Sequence, residues 1–176
     1  VAKSAGFCLV GGIPRTSLTH ERRMTHTHIR AWHILTTLPL QAFVPRGRGY
    51  ILNVSSAAGF LPGPLMATYY ATKNYVLRLT EAIREELRRA GSPVKVCALC
   101  PGPVDTEFNK VAGVRFALDG LDAKRVARAA VDGLFAGKGI VVPGAAMKAM
   151  TFGRTFAPDC LLARVTVPFP PKKVGA

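Results

Sequence analysis

Tyr50-Ile51-Leu52-Asn53-Val54-Ser55-Ser56, followed after twelve residues by Tyr69-Tyr70-Ala71-Thr72-Lys73, decides how this chain folds. Residues 50–54 are short and mostly apolar, the pattern of a strand buried in a parallel sheet. The small residues that follow, with Gly59, Pro62, Gly63 and Pro64, predict a loop over 55–68. A helix is then expected from Tyr69 to Arg89. Val76, Leu79, Ile83 and Leu87 would form its apolar stripe, while Arg78, Glu81, Arg84, Glu85 and Arg88 face water. Arg88 and Arg89 suit the negative end of the helix dipole, and Gly91 suits the position just beyond it.

Working outward, Val94–Leu99 reads as the next strand, broken by Pro101-Gly102-Pro103. Residues 107–121 read as a loop, 122–136 as a helix with Val126, Ala129, Ala130 and Leu134 inward, and 139–143 as a last strand. Upstream, 1–19 reads as a loop. Residues 20–43 read as a rough helix with Met24, Ile29, Trp32 and Leu35 as its stripe, kinked or ended by Pro39. Strand, helix, strand, helix, strand indicates an α/β domain with a parallel sheet. Residues 1–176 are expected to form a single such domain, with 144–176 as a basic C-terminal tail, partly helical around Met147–Phe156.

The composition, 49% hydrophobic and 19% charged, suits a globular fold with a core. No apolar run reaches the ~18 residues of a membrane span, and the start lacks a basic segment followed by an apolar one. A cytoplasmic protein is the expectation. The net charge of +14 is spread along the chain without a long Lys/Arg block or interleaved aromatics, so nucleic acid is not an expected partner. Nor is membrane contact by the tail. Cys97-Ala98-Leu99-Cys100 lies on a strand, where residues three apart point to opposite faces, so buried free thiols are expected rather than a redox or zinc pair. His20, His26, His28 and His33 are close in sequence, but on a helix His26 and His28 point about 200° apart, and no metal site is expected.

The chemistry resides in three side chains. Tyr69 and Lys73, four apart, share one helix face. Ser56, at a strand end, can reach the same point. A carbonyl receiving a hydride gathers negative charge on oxygen and needs a proton. A phenol titrating near 10 supplies it more readily beside an ammonium that lowers its pKa, and a serine hydroxyl can hydrogen-bond the same oxygen. Tyr70 has Asn74 rather than Lys at that offset, so Tyr69 is the candidate.

Asn53-Val54-Ser55-Ser56-Ala57-Ala58-Gly59, Tyr69-x-x-x-Lys73 and Pro101-Gly102-Pro103-Val104-Asp105-Thr106 together resemble the short-chain dehydrogenase/reductase family, over roughly residues 50–143. The resemblance implies a Rossmann-like, doubly wound parallel sheet in a three-layer α/β/α arrangement, here N-terminally truncated. By that likeness Ser56 positions the carbonyl, Tyr69 is the acid/base, and Lys73 lowers its pKa and holds the nicotinamide ribose. Pro101 and Gly102 would lie along the nicotinamide, Val54 beside the site, and Val104 and Thr106 at the carboxamide. Residues 107–121, with Phe108, Val111, Val114, Phe116 and Leu118, would cover a small apolar alcohol or carbonyl substrate. The helix Tyr69–Arg89 would form a homo-oligomer face.

The likeness also has gaps. The family's Thr-Gly-x-x-x-Gly-x-Gly turn, which meets the cofactor pyrophosphate at a helix N-terminus, has no counterpart here. Lys3-Ser4-Ala5-Gly6 resembles the later Asn-Asn-Ala-Gly turn with both Asn replaced, which would bring Ala5 and Gly6 to the cofactor. Counting on, His28 stands where the family has the helical Asn that steadies the Lys through water. The implied activity is NAD- or NADP-dependent interconversion of a secondary alcohol and a ketone or aldehyde, with weak or absent cofactor binding by this chain alone. The alternative is an impaired remnant that only binds a partner.

Overall fold

The computed structural model describes residues 1–108 and 119–166. The expectations for Val111, Val114, Phe116 and Leu118, and for the last ten residues of the tail, lie outside the described residues. Four parallel strands form one sheet in the order β1-β2-β3-β4: β1 is Ala2–Lys3, β2 Tyr50–Val54, β3 Lys95–Leu99 and β4 Ile140–Val141. The register sets Lys3 beside Asn53, Asn53 beside Ala98, and Ala98 beside Ile140. Strand alternation sends Leu52, Cys97 and Leu99 to one face, against Val126, Ala130 and Leu134 of α4 (Ala123–Phe135). Ile51, Val96, Ala98 and Cys100 go to the other, against Leu77 and Leu87 of α3 (Ala67–Arg89). Helices on both faces make the three layers of a Rossmann-like fold. Cys97 and Cys100 are buried free thiols in opposite layers, and burial pushes them up to about 11 and about 12.

Helix α4 begins where Asp122 accepts from the Arg125 amide at 2.8 Å. Gly133 lets it lie close on the sheet, because a Cβ there would come within 2.2 Å of Val141 Cγ2. Helix α3 ends as the sequence suggests, with Gly91 in the left-handed region at φ 62°. Its stripe is different from the expected one. Leu77 and Thr80 are fully buried with Val76 and Leu87, while Leu79 and Ile83 are half-buried. Polar Lys73 and Thr80 sit on the true core line and hide it from a hydrophobicity reading.

The segment before β2 departs furthest from expectation. Residues 1–19 are not all loop: they hold β1, a 3-10 turn at Ile13–Arg15 and the start of α1 (Leu18–Thr25). A π-helical turn, His26–Ala31, joins α1 to α2 (Trp32–Phe43). Pro39 lies inside α2 and does not end it. The buried line is Met24, His28, Trp32 and Thr36, whereas Leu35 is exposed and Ile29 half-buried. A spacing of four drifts on a 3.6-residue helix, and the wider π turn absorbs the drift.

The tail region is also more ordered than expected. It forms α5 (Ala145–Gly153), a 3-10 turn at Arg154–Phe156 and an unforeseen α6 (Asp159–Val165). Arg154 donates to Phe60 O at 3.1 Å and stacks 4.9 Å from the Phe60 ring, tying this region to the loop after β2. Among the described residues, no helix is long and apolar enough to cross a membrane.

Candidate active site

Three carboxyl ends of parallel strands converge, the position where open α/β sheets hold ligands. Past β1 lies Ala5-Gly6-Phe7, past β2 lies Ser55-Ser56, and past β3 lies Pro101-Gly102. The last two turns are bonded together: the Ser55 amide donates to Leu99 O and the Ala57 amide to Pro101 O, both at 2.8 Å. Ser56 caps a 3-10 turn, Ala57–Phe60, its hydroxyl accepting from the Ala58 amide at 3.1 Å. The loop is fixed to α3 by Ser55 Oγ donating to Lys73 O at 2.7 Å and by Asn74 Nδ2 donating to Gly59 O at 2.9 Å. Gly59 is required here, since a Cβ would come within 2.8 Å of that same Lys73 carbonyl.

This scaffold brings Ser56, Tyr69 and Lys73 together. Tyr69 is 8% exposed, packed among Met24, Ala58 and Met66, with Phe7, Cys8 and Phe108 around them. The Phe108 ring lies 6.1 Å from the Tyr69 ring. Burial raises the Tyr69 phenol above its ordinary value, and a hydrogen bond with Ser56 pulls the other way. The Lys73 ammonium lies over the Tyr69 ring, 5.7 Å from its centroid, and donates to Val54 O at 3.2 Å. Burial brings Lys73 itself down to about 8.

Val54 therefore contributes its carbonyl. Gly102 is packed under Met147, whose Sδ would lie 2.5 Å from a Cβ there. Val104 pairs with Leu121 in an isolated parallel bridge, and exposed Thr106 turns its hydroxyl toward Val104 O at 3.5 Å. Ala5 offers its carbonyl to Trp32 Nε1 at 3.2 Å.

Three participants escape a motif reading. Two buried ammonium groups lie over the Trp32 ring, Lys3 at 5.6 Å and Lys73 at 5.7 Å from its centroid. Lys3 donates to Thr36 Oγ1 and, at 3.2 Å, to Leu35 O, and burial lowers it to about 8. Thr72 bridges His28 and the backbone of Tyr69. The signals available in the sequence were the lone tryptophan and the unusual Lys at the start of the Lys3-Ser4-Ala5-Gly6 turn.

Residues 1–114 match the short chain dehydrogenase family. The chain belongs to that family. It is 32% identical over 108 residues to the uncharacterized oxidoreductase YbbO of Escherichia coli K12, covering 61% of this chain and 39% of that one. It is 37% identical over 90 residues to the human very-long-chain 3-oxoacyl-CoA reductase, covering 51% and 28%. The chain thus spans well under half the length of these curated relatives. Among solved structures, a short-chain dehydrogenase of Sphingobium yanoikuyae in complex with NADPH superposes with a TM-score of 0.75 at 24% identity, over 99% of this chain and 66% of that one. One of Burkholderia phymatum in complex with NAD gives 0.79 at 20%, over 99% and 69%. At such identities the likeness establishes the Rossmann fold.

Proposed function

We propose that this short-chain dehydrogenase chain carries the proton-transfer half of a carbonyl reduction, with Tyr69 as acid, Ser56 as hydrogen-bond partner of the carbonyl oxygen and Lys73 as the positioning cation. What supports this reading is that Ser56 lies just past the carboxyl end of β2, that Tyr69 and Lys73 stand on the first turns of α3, and that Tyr69 sits in an apolar cluster. A nicotinamide cofactor, NAD or NADP, supplies the hydride when bound. The residues present fit its nicotinamide half. Lys73 makes one hydrogen bond among the described residues, to Val54 O, and an ammonium has three donors. Gly6 and the Pro101-Gly102 turn close the adjoining strand ends.

The Tyr69 phenol carries its proton at neutral pH and can give it to the oxygen on which charge develops; burial, which raises its pKa, makes it a weaker donor than a phenol in water. Ser56 can donate to that same oxygen. The Met66, Phe7, Tyr70 and Phe108 walls suit an apolar ketone better than a sugar. Cofactor binding by the 176-residue chain is expected to be weak, so the assay belongs at millimolar cofactor. With NADPH or NADH deuterated at the transferring position and a panel of hydrophobic ketones, the product alcohol is expected to carry deuterium at its carbinol carbon. Cofactor oxidation without label in the product, or no turnover across the panel, contradicts the reading.

A further inference from the structure

His28 is 1% exposed, and both ring nitrogens are engaged. Nε2 lies 3.0 Å from the Phe7 amide nitrogen. An amide only donates, so Nε2 accepts and bears no proton. The ring's proton then sits on Nδ1, which lies 2.9 Å from Thr72 Oγ1. Thr72 uses its own hydroxyl proton on the Tyr69 carbonyl at 2.8 Å, leaving its oxygen lone pairs for Nδ1–H. Donor and acceptor roles along Phe7, His28, Thr72 and Tyr69 are thus consistent in only one sense, and they need the neutral Nδ1–H imidazole. Burial first and the Lys73 charge second keep the ring neutral, bringing its pKa to about 4.

Packing reinforces the same axis. The imidazole meets the Phe7 ring edge-on at 5.7 Å and the Tyr69 ring at 6.1 Å. Gly6 makes room for it, since a Cβ would approach Nε2 to 2.9 Å. The π turn His26–Ala31 holds His28 on the buried line of its helix.

We propose that His28 is a positioning residue: a neutral Nδ1–H strut that fixes the Ala5-Gly6-Phe7 turn to the helical turn bearing Tyr69. An Asn, the residue expected there by family likeness, could accept and donate in the same sense but could not supply the ring contacts. The catalytic consequence rests on Tyr69 being the acid; the strut itself does not.

The test uses the full 176-residue chain and no turnover, so failure of the strut and failure of the proposed reaction are separable. Long-range proton–nitrogen NMR of histidine-labelled protein is expected to find His28 with Nδ1 protonated and Nε2 bare at neutral pH; the opposite tautomer or a charged ring overturns the proposal. His28→Leu, which fills the space without polar groups, is expected to speed Phe7 amide exchange about tenfold and to shift the labelled Tyr69 ring signal. His28→Asn is expected to keep most of the Phe7 protection. Thr72→Val, nearly isosteric, is expected to move the Tyr69 signal while leaving Phe7 protected. If Phe7 exchange in His28→Leu matches the parent, or if Tyr69 is unmoved in both His28→Leu and Thr72→Val, His28 positions nothing. Should His28→Leu fail to fold, the tautomer and Thr72→Val decide.

Discussion

Two helical segments cover the same face of the sheet, and they are built by different rules. Helix α3 is regular, 23 residues long, and buries Leu77 and Leu87 against β2 and β3. The segment 18–43 contains a π turn and an internal proline, and its buried line includes the polar His28 and Thr36. The first buries Val76, Leu77 and Leu87 together with the polar Thr72, Lys73 and Thr80, and offers Tyr69 and Lys73 from its first turns. The second spends its buried positions on hydrogen bonds to Phe7, Thr72 and Lys3. A helix that serves a site need not look amphipathic, because its inward residues are chosen for partners rather than for hydrophobicity.

The contrast can be broken most severely at Leu77. This side chain is fully buried, so Leu77→Ala is expected to lower stability by about 2–5 kcal/mol in denaturant unfolding. Leu38→Ala on α2, where the leucine is 57% exposed, should cost less than about 0.5 kcal/mol. Comparable losses at the two leucines would erase the distinction.

Acid offers the next largest effect. His28 has a folded pKa lowered to about 4 from 6.5, so between those values the unfolded chain binds more protons and stability falls as pH drops. The contribution to that fall is up to about 3 kcal/mol between pH 6.5 and 4. It should be lost in His28→Asn, which a pH series of urea midpoints would reveal. The smallest change is on the outer face of α3. Arg78 and Glu81 pair at 2.7 Å in solvent, and Glu81→Gln is expected to stay within about 0.5 kcal/mol of the parent. A larger effect would mean that the outer face is not the solvated surface described.

These differences explain what could be read beforehand. The strands β2 and β3 were legible as apolar runs bounded by turn residues, and helices α3 and α4 from the spacing of their apolar residues with Gly91 closing α3, although the buried line of α3 was not. Ser56, Tyr69 and Lys73 stood out as candidates because a strand end and a four-residue helical spacing coincide with the Asn53–Gly59 and Pro101–Thr106 motifs around them. The stripe of segment 18–43 was not, since a π turn changes the period and places Leu35 outside and Thr36 inside. The state of Tyr69 was not legible either. A four-residue spacing puts Lys73 near the ring, but only the packing reveals how far the phenol is buried and that burial raises its pKa. Helix α6 lacked a clear signal because its seven residues bury no side chain fully.

The account stands most directly on one comparison: the rate of ketone reduction at millimolar NADPH by the parent chain and by Tyr69→Phe. Removing one hydroxyl should leave the fold intact and lower turnover by about 10²–10⁴. An unchanged rate in Tyr69→Phe would contradict Tyr69 as the acid and, with it, the site described at the end of β2.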